Sequence, residues 1–349
     1  MIFESVGLVS WLVVSLLAQE ADFEWKKLVD LPDPIGVASP FAGTVGGTLL
    51  VAGGANFPNQ TPWVGGKKQW HDHVWALDTL ESTWRDIGKL PGKLAYGVSI
   101  SADDGLVCIG GSDQDRHYHQ VFLLQLRNGL LVTKFLPSLP HAIANACGGS
   151  IGKTIYVAGG TESPNATATL NTFLSLDLEN LSRGWTELPT WPGPGRMLSV
   201  SAVVEDSFFL VSGTDLSSDE NGKPVRRYLS DAYRFRSQSG WERIADIARP
   251  CVACPSPAPT LGAASFIILG GDDGSKVGFQ PVEEHPGFVK SIQGFDTLQN
   301  KWLQLGYTPA PRVTAPVVKW DDRWLIISGE ERPGVRSPQV WSFKSTLWK

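Results

Sequence analysis

The sequence predicts an all-β protein folded as a six-bladed β-propeller, and three observations indicate this fold. An apolar strand that ends in Gly-Gly or Ser-Gly occurs six times, with its copies 49 to 58 residues apart. An apolar-aromatic strand follows each copy after a variable loop, and a tryptophan strand comes next in four of the six. A period near 50 residues is typical of propellers, in which each repeat forms one four-stranded blade.

The composition supports this class. The chain has 349 residues, of which 42% are hydrophobic and 19% charged, and this balance is typical of a soluble globular protein rather than a disordered one. It contains 37 glycines, 24 prolines and 14 tryptophans, which suit many turns and large aromatic wedges. The formal charge of −5 argues against a general nucleic-acid binder, so we expect no nucleic-acid partner.

The second strand of each predicted blade ends at the glycines, because a residue without Cβ lets the backbone turn tightly. Its copies are residues 51–54, 108–111, 157–160, 210–213, 268–271 and 327–329. The third strand is predicted at residues 74–77, 121–124, 172–175, 232–235, 292–295 and 340–343. The fourth strand carries Trp84, Trp185, Trp241 and Trp302. In blade two, Val132 and Phe135 are expected to replace the tryptophan that fills the space between blades. This is the pattern of a kelch-type repeat.

The N-terminus is predicted to close the ring. The sixth copy stops soon after its third strand, whereas Trp25 precedes Leu31 and Pro32 at the spacing that separates Trp84 from its own Leu-Pro pair. Trp25 should therefore begin the fourth strand of blade six, with Trp348 as the competing candidate. Such closure removes the exposed sheet edge of an open array.

The apolar run at residues 6–18 is too short to span a bilayer comfortably and fits the apolar region of a secretory signal. We expect a signal peptide at residues 1–21, a propeller at 22–349, and a periplasmic or secreted protein with no stable membrane insertion after cleavage. An uncleaved tether and a mis-assigned start codon remain open alternatives, because no Lys or Arg precedes the run.

Neither the cysteines nor the histidines indicate a metal site. Cys251 and Cys254 have C-x-x-C spacing, but no second pair or paired histidines follow them, so a structural role is favoured and a disulfide stays open. The His71-Asp72-His73 run is too isolated to hold a metal.

The loops that follow the glycine pairs emerge on one face, where several are long, and function usually lies on such loops. In blades one to four the first residue after the pair is small or hydroxylated: Ala55, Ser112, Thr161 and Thr214. Asp272 and Glu330 break this pattern in blades five and six, which points to function, although Asp272 also suits a turn. The second residue after the pair, such as Asn56, is polar in every blade and is interpreted mainly as loop capping.

The blade-six loop, residues 329–336, reads Gly-Glu-Glu-Arg-Pro-Gly-Val-Arg. Its Pro-Gly turn should bring Arg336 back beside Glu330. A carboxylate and a guanidinium at a propeller mouth suit anion binding and proton transfer, whereas a plain surface ion pair is the open alternative. The loop at residues 63–72 mixes aromatic, basic and acidic groups, which suits either stacking on a sugar or packing as a lid.

This blade-six loop resembles the Gly-Glu-x-x-Pro-Gly-x-Arg motif of the N-acetylneuraminate (sialic acid) epimerases, or sialate mutarotases, which are six-bladed kelch propellers. Residues 36–55 and 95–111 resemble the segments that come after this motif in the better-known members. Here those segments open the chain and the Glu/Arg motif closes it. The sequence is therefore similar to a cyclically permuted branch of that family, and the family's long insertion is not evident.

The resemblance implies an isomerase of carbohydrate metabolism that interconverts the anomers of sialic acid by acid/base ring opening. It assigns Glu330 as proton acceptor and Arg336 as its substrate-binding partner, and it requires no metal or redox cofactor. The expected partner is a small sugar acid. By position at the rim, the candidate substrate-binding residues are Arg312, Asp272, Arg196 and Asn56.

A non-catalytic kelch propeller that binds a carbohydrate or a protein partner is the alternative, since fold does not imply function. A copper radical oxidase would need Cys, Tyr and His ligands at the mouth, and the sequence shows no such cluster.

Overall fold

The structure, a computed structural model, describes residues 23–345 and has the predicted six-bladed β-propeller fold. Five blades are four-stranded antiparallel sheets and the fifth in chain order is three-stranded. The predicted signal peptide at residues 1–21 and the competing closing residue Trp348 lie outside the described residues. Within residues 23–345 no helix is long and apolar enough to cross a membrane.

The first half of the described chain contains strands β1 Phe23–Lys27, β2 Phe41–Val45, β3 Thr48–Ala52, β4 Ala55–Asn56, β5 Gln69–Trp70, β6 His73–Leu77, β7 Arg85–Lys89, β8 Val98–Ala102, β9 Gly105–Ile109, β10 Val121–Arg127, β11 Leu130–Leu136, β12 Cys147–Ile151, β13 Thr154–Ala158, β14 Phe173–Asp177 and β15 Thr186–Glu187. The second half contains β16 Val200–Val204, β17 Ser207–Val211, β18 Thr214–Ser218, β19 Pro224–Tyr228, β20 Ala232–Arg236, β21 Gly240–Ile244, β22 Ser265–Gly271, β23 Val289–Asp296, β24 Lys301–Tyr307, β25 Val317–Trp320, β26 Arg323–Ile327, β27 Glu330–Arg332, β28 Val335–Arg336 and β29 Val340–Ser345. Single 3₁₀ turns occur at Pro62–Val64, Leu181–Arg183 and Val282–Glu284.

The blades follow one another along the chain. Blade 1 is β2-β3-β6-β7, blade 2 is β8 to β11, blade 3 is β12 to β15, blade 4 is β16-β17-β20-β21, blade 5 is β22 to β24, and blade 6 is β25-β26-β29-β1. Short hairpins, β4-β5, β18-β19 and β27-β28, rise from the loops after the glycine pairs of blades 1, 4 and 6. These hairpins build up one face of the propeller.

Blade 5 differs from the four-stranded prediction. Its innermost segment makes isolated bridges instead of a strand ladder, between Thr260 and Phe266 and between Ser256 and Pro316. Pro255, Pro257 and Pro259 lie in this segment, and proline has no backbone N–H to donate to a ladder. The segment therefore runs beside the sheet without joining it as a regular strand.

The N-terminal strand closes the ring as predicted. Strand β1 pairs antiparallel with β29, which places Trp25 opposite Phe343, and the two rings lie 4.6 Å apart between centroids. The buried Arg323 of blade 6 reinforces this junction, because its Nη1 donates to Glu24 Oε1 at 2.9 Å. Blade 6 is thus assembled from both ends of the described chain.

A ring of backbone hydrogen bonds joins the six blades around the axis. One residue just before the first strand or segment of each blade has a left-handed backbone, with φ between 45° and 62°. These residues, here called the axial belt, are Ser39, Tyr96, Asn145, Leu198, Ala253 and Thr314. Each donates its N–H to the carbonyl of the preceding member at 2.6 to 3.0 Å, and Ser39 donates to Thr314, so the ring is closed. All six residues line a narrow axial channel.

Tryptophans at the outer edges of blades 3, 4 and 5 tie each of these blades to the one before it. Nε1 of Trp185 donates to Pro137 O at 2.8 Å, and Trp302 and Trp241 make equivalent bonds to the preceding blades. The prediction for blade 2 was wrong. Val132 and Phe135 are 36% and 61% exposed, although the Phe135 ring still contacts Phe122. Leu131, on the same face of strand β11 as Phe135, packs against the apolar cluster between blades 1 and 2 instead.

Candidate active site

The residues that follow the glycine pairs occupy six equivalent positions around the axis. Each forms an isolated antiparallel bridge with the residue just before the axial belt: Ala55 with Ala38, Ser112 with Ala95, Thr161 with Ala144, Thr214 with Met197, Asp272 with Val252, and Glu330 with Val313. The six residues that follow the glycine pairs are therefore structurally equivalent, with one in each blade. Asp272 and Glu330 put carboxylates on neighbouring blades at positions where the other blades carry small or hydroxylated side chains.

A cavity of about 610 Å³ opens on this face above the axial channel and is lined by residues from all six blades. Its charged lining side chains are Lys68, Asp113, Arg226, Asp272, Glu330 and Arg336. Its aromatic lining side chains are Phe57, Trp70, Tyr96 and Phe288. A concave site with several apolar rings and a few convergent polar groups is the usual form of a small-molecule site, and this volume accommodates a monosaccharide.

Glu330 and Arg336 meet across the blade-six hairpin. Strands β27 and β28 pair the two residues directly, and Arg336 Nη2 lies 3.3 Å from Glu330 Oε2. The backbone N–H of Gly334 donates to Glu330 Oε1 at 2.8 Å. Gly334 has φ of +77°, and a Cβ there would lie 2.6 Å from Pro62, so the turn requires glycine. The Pro-Gly turn thus brings the two side chains together, as the sequence predicts.

The guanidinium of Arg336 is buried but not saturated by the protein. Its side chain is 3% exposed, and its Cζ lies 4.7 Å from the ring centroid of Phe57. Neither Nε nor Nη1 has a hydrogen-bond partner among the described residues. A buried donor without a partner costs about 1–3 kcal/mol, so this arginine retains capacity for an anionic ligand.

Asp272 supplies a second carboxylate to the cavity lining, and protein groups already hold both of its oxygens. Oδ2 accepts from the Tyr228 hydroxyl at 2.7 Å, and Oδ1 accepts from Gly274 N at 3.0 Å. Burial, followed by the hydrogen bond to Asp272, raises the pKa of Tyr228 well above its usual value, so this phenol stays protonated as a donor. The turn chemistry expected for Asp272 is therefore present together with its position in the cavity.

Lys68 forms an aromatic cluster on the blade-one side of the cavity. Its Nζ lies 5.1 Å from the ring centroid of Tyr96, 5.5 Å from that of Trp70 and 5.8 Å from that of Phe57. It also donates to Tyr96 Oη at 3.3 Å. The sequence placed Lys68 in a loop of undecided role and gave Tyr96 no role, because nothing in the pattern shows which residues of separate blades meet.

His117 is the histidine of the cavity lining. Its Nδ1 lies 2.9 Å from the carbonyl oxygen of Thr161, which makes Nδ1 the protonated nitrogen and leaves Nε2 as the acceptor. Burial lowers the pKa of His117, so the ring is uncharged at neutral pH.

Three predicted substrate-binding residues do not line the cavity. Arg196 is completely buried, and its Nη2 donates to Asp231 Oδ2 at 2.7 Å. Asn56 is 1% exposed and bonds to Gly36 O at 2.9 Å and to His71 Nε2 at 2.8 Å. Position on a rim loop predicted their neighbourhood but not the direction of their side chains. The structure therefore gives these two residues framework contacts.

Arg312 is the third predicted substrate-binding residue that does not line the cavity. It is 5% exposed, and its Nη2 donates to Ser337 Oγ at 2.9 Å and to Gln339 Oε1 at 3.0 Å. Because Ser337 directly follows Arg336, Arg312 holds the strand that carries the cavity arginine.

Residues 23–345 contain no group of three or more His, Cys, Asp or Glu side chains placed to share a metal ion. Cys251 and Cys254 are present as buried free thiols.

Comparisons with known proteins lead to the same family as the motif. Residues 5–132 match the family model described as N-acetylneuraminate epimerase. The N-acetylneuraminate epimerase of Brucella suis (strain ATCC 23445 / NCTC 10510) is 42% identical over 118 residues, which is 29% of this chain and 30% of the relative. Those of Yersinia pestis (strain Pestoides F) and Haemophilus influenzae (strain 86-028NP) are 25% and 26% identical, over 56% and 61% of their lengths.

The resemblance to the N-acetylneuraminate epimerases is confirmed. The chain matches less than two thirds of the length of each of these relatives. The family-model match covers β1, blade 1 and blade 2 as far as the start of β11, and it ends before the blade-six loop. The cyclic permutation and the roles of Glu330 and Arg336 therefore stay predictions.

Proposed function

We propose that this protein is a sialate mutarotase, an isomerase that interconverts the anomers of N-acetylneuraminate by acid/base ring opening in the six-blade cavity. The observation that carries the proposal is the Glu330–Arg336 pair, which lies at the mouth of a monosaccharide-sized cavity. Similarity to proteins named N-acetylneuraminate epimerase supports the choice of sugar acid.

Mutarotation opens the cyclic hemiketal of the sugar and recloses it on the other face of the carbonyl. Opening needs a base that accepts the proton of the anomeric hydroxyl and an acid that protonates the ring oxygen. Glu330 is suited to accept the first proton, since its side chain is 16% exposed, lines the cavity and is oriented by Gly334 N and Arg336.

Arg336 is suited to hold the carboxylate of the substrate. A guanidinium offers a planar set of donors that matches a carboxylate, and two donors of Arg336 have no partner among the described residues. Phe57 packs on the guanidinium and limits its movement. The signal-like segment at residues 6–18 supports the further proposal that the protein acts in the periplasm or outside the cell.

The test adds purified protein to freshly dissolved crystalline sialic acid and follows the anomers by proton NMR. We expect interconversion faster than in buffer, and an unchanged rate would reject the proposed substrate. Binding without acceleration would instead favour the non-catalytic propeller.

The variant Glu330→Gln should lower the turnover rate about 10²–10⁴-fold, because it removes the proton acceptor while preserving the size of the side chain. Glu187→Gln, on the exposed outer strand of blade 3, is the matched control and should retain full activity. Full activity of Glu330→Gln would show that the proton acceptor is another group.

A further inference from the structure

Tyr96 departs from the other five repeats at the left-handed position just before the first strand of its blade. It is the one member of the axial belt with an ionisable side chain; the other five are Ser39, Asn145, Leu198, Ala253 and Thr314. Its φ is +62°, which few residues other than glycine adopt. Its N–H donates to Ser39 O at 3.0 Å, and its carbonyl accepts from Asn145 N at 2.9 Å. The backbone is therefore fixed from both neighbouring blades, and the phenol lines the cavity.

The position of Tyr96 leaves no room for a side chain on the next residue. A Cβ on Gly97 would lie 2.4 Å from Phe41 and 2.7 Å from the carbonyl oxygen of Ile109. The chain thus passes between two packed blades at this point and holds the phenol at the junction of the channel and the cavity.

Lys68 gives the Tyr96 hydroxyl a defined direction. Because the ammonium donates to Tyr96 Oη, the proton of the phenol itself is free to be donated to a ligand in the cavity. The charge of Lys68 lies against the faces of Tyr96, Trp70 and Phe57. The same charge stabilises the phenolate that remains after the proton has left.

We infer that Tyr96 is the second proton-transfer group of this site, positioned and activated by Lys68. The inference rests on the proposed mutarotase function and supplies the acid that Glu330 alone leaves unassigned. Tyr96 and Glu330 line the same cavity from blades 2 and 6.

The proton transfers balance. Tyr96 gives its hydroxyl proton to the ring oxygen as the bond between that oxygen and the anomeric carbon breaks. Glu330 takes the proton of the anomeric hydroxyl, whose oxygen becomes the carbonyl of the open-chain sugar. After rotation about the carbon–carbon bond next to the carbonyl, the new hydroxyl attacks the other face. It returns its proton to the phenolate, while Glu330 returns its proton to the carbonyl oxygen.

The decisive variant is Tyr96→Phe, which removes one hydroxyl and keeps the ring that packs against Lys68. We expect kcat for sialic acid anomer exchange to fall about 10²–10⁴-fold, with KM nearly unchanged and the thermal unfolding curve preserved. The control is Tyr307→Phe on the outer strand of blade 5, whose side chain is exposed and should not affect activity. If the wild type is active and Tyr96→Phe has the same kcat, the inference is wrong.

Lys68 is a positioning residue, and its test separates charge from packing. Lys68→Met keeps an apolar chain among the three rings but removes the ammonium, so kcat should fall about tenfold. Lys68→Arg keeps the charge and should restore most of kcat. Equal activity in the two variants would contradict a role for the charge. Absence of any acceleration by the wild type would refute the proposed function itself, so the two failures are distinguishable.

Discussion

Two buried arginines with the same kinds of neighbours differ in what they face. Arg196 is completely buried, Arg336 has a side chain that is 3% exposed, and each has an aromatic ring and a carboxylate beside it. Arg196 donates to Asp231 Oδ2 at 2.7 Å and to two backbone carbonyls, away from the cavity. Arg336 approaches Glu330 at 3.3 Å and leaves two donors without partners among the described residues, inside the cavity lining.

This difference separates an arginine that holds the fold from one that is available to a ligand. Burial raises the pKa of Asp231, but the hydrogen bond and charge of Arg196 outweigh it and hold that pKa below its usual range. The Arg196–Asp231 pair is therefore held together by its own hydrogen bond, and the polar atoms that it leaves without partners among the described residues, Arg196 Nε and Asp231 Oδ1, do not line the cavity. Donors already used within the protein contribute to stability, whereas unused donors beside a cavity are suited to binding.

The largest expected effect is on stability, in Arg196→Met. Removing one partner of a buried pair leaves Asp231 as an uncompensated charge, so the free energy of unfolding should fall about 3–5 kcal/mol. Urea denaturation measures this, and kcat/KM per folded molecule should stay close to that of the wild type. Arg243→Met removes an exposed pair with Asp246 and should cost at most about 1 kcal/mol. Equal losses in the two variants would contradict the structural role of Arg196.

The next effect is on activity, in Arg336→Met. The methionine still packs against Phe57, but the substrate carboxylate loses its partner, so kcat/KM should fall about 10²–10³-fold. The free energy of unfolding should change less than in Arg196→Met, because two donors of the wild-type guanidinium already lack partners and its ion pair with Glu330, at 3.3 Å, is longer than the 2.7 Å pair of Arg196 with Asp231. Anomer exchange by NMR and urea denaturation provide the two measurements.

Arg332→Met is the control for that variant, since Arg332 lies on the same hairpin and bonds to the carbonyl of Glu283 outside the cavity. It should keep wild-type activity. A loss of stability in Arg336→Met as large as that in Arg196→Met would show that Arg336 holds the fold rather than a ligand.

The features that the sequence predicted correctly are those set by residues close together in the chain or by the spacing of the repeats. The glycine pairs, the tryptophan strands and the closing strand at Trp25 follow from repeat spacing, and the meeting of Glu330 and Arg336 follows from a single Pro-Gly turn. Contacts between residues of different repeats could not be predicted, because the pattern does not record the direction of a side chain. Arg196 was therefore placed at the rim together with Arg336.

Tyr96 illustrates the same limit. Its position before the first strand of blade 2 is visible in the repeat, but its importance depends on two features that arise only in the closed ring. One is the hydrogen-bonded axial belt, and the other is the approach of Lys68 from the loop of blade 1. A comparison of the six pre-strand positions could have identified Tyr96 as the exception.

The smallest effect is expected for a variant of Asp272, which tests whether the carboxylates of blades 5 and 6 have different roles. Asp272→Asn keeps an oxygen able to accept from Tyr228 or Gly274 and removes only the charge. If Asp272 only contacts the bound sugar, KM should rise up to about tenfold, the cost of roughly one hydrogen bond, and kcat should stay nearly constant. A fall in kcat as large as that of Glu330→Gln would mean that the two neighbouring carboxylates share the proton, and that the acceptor is the pair rather than Glu330 alone.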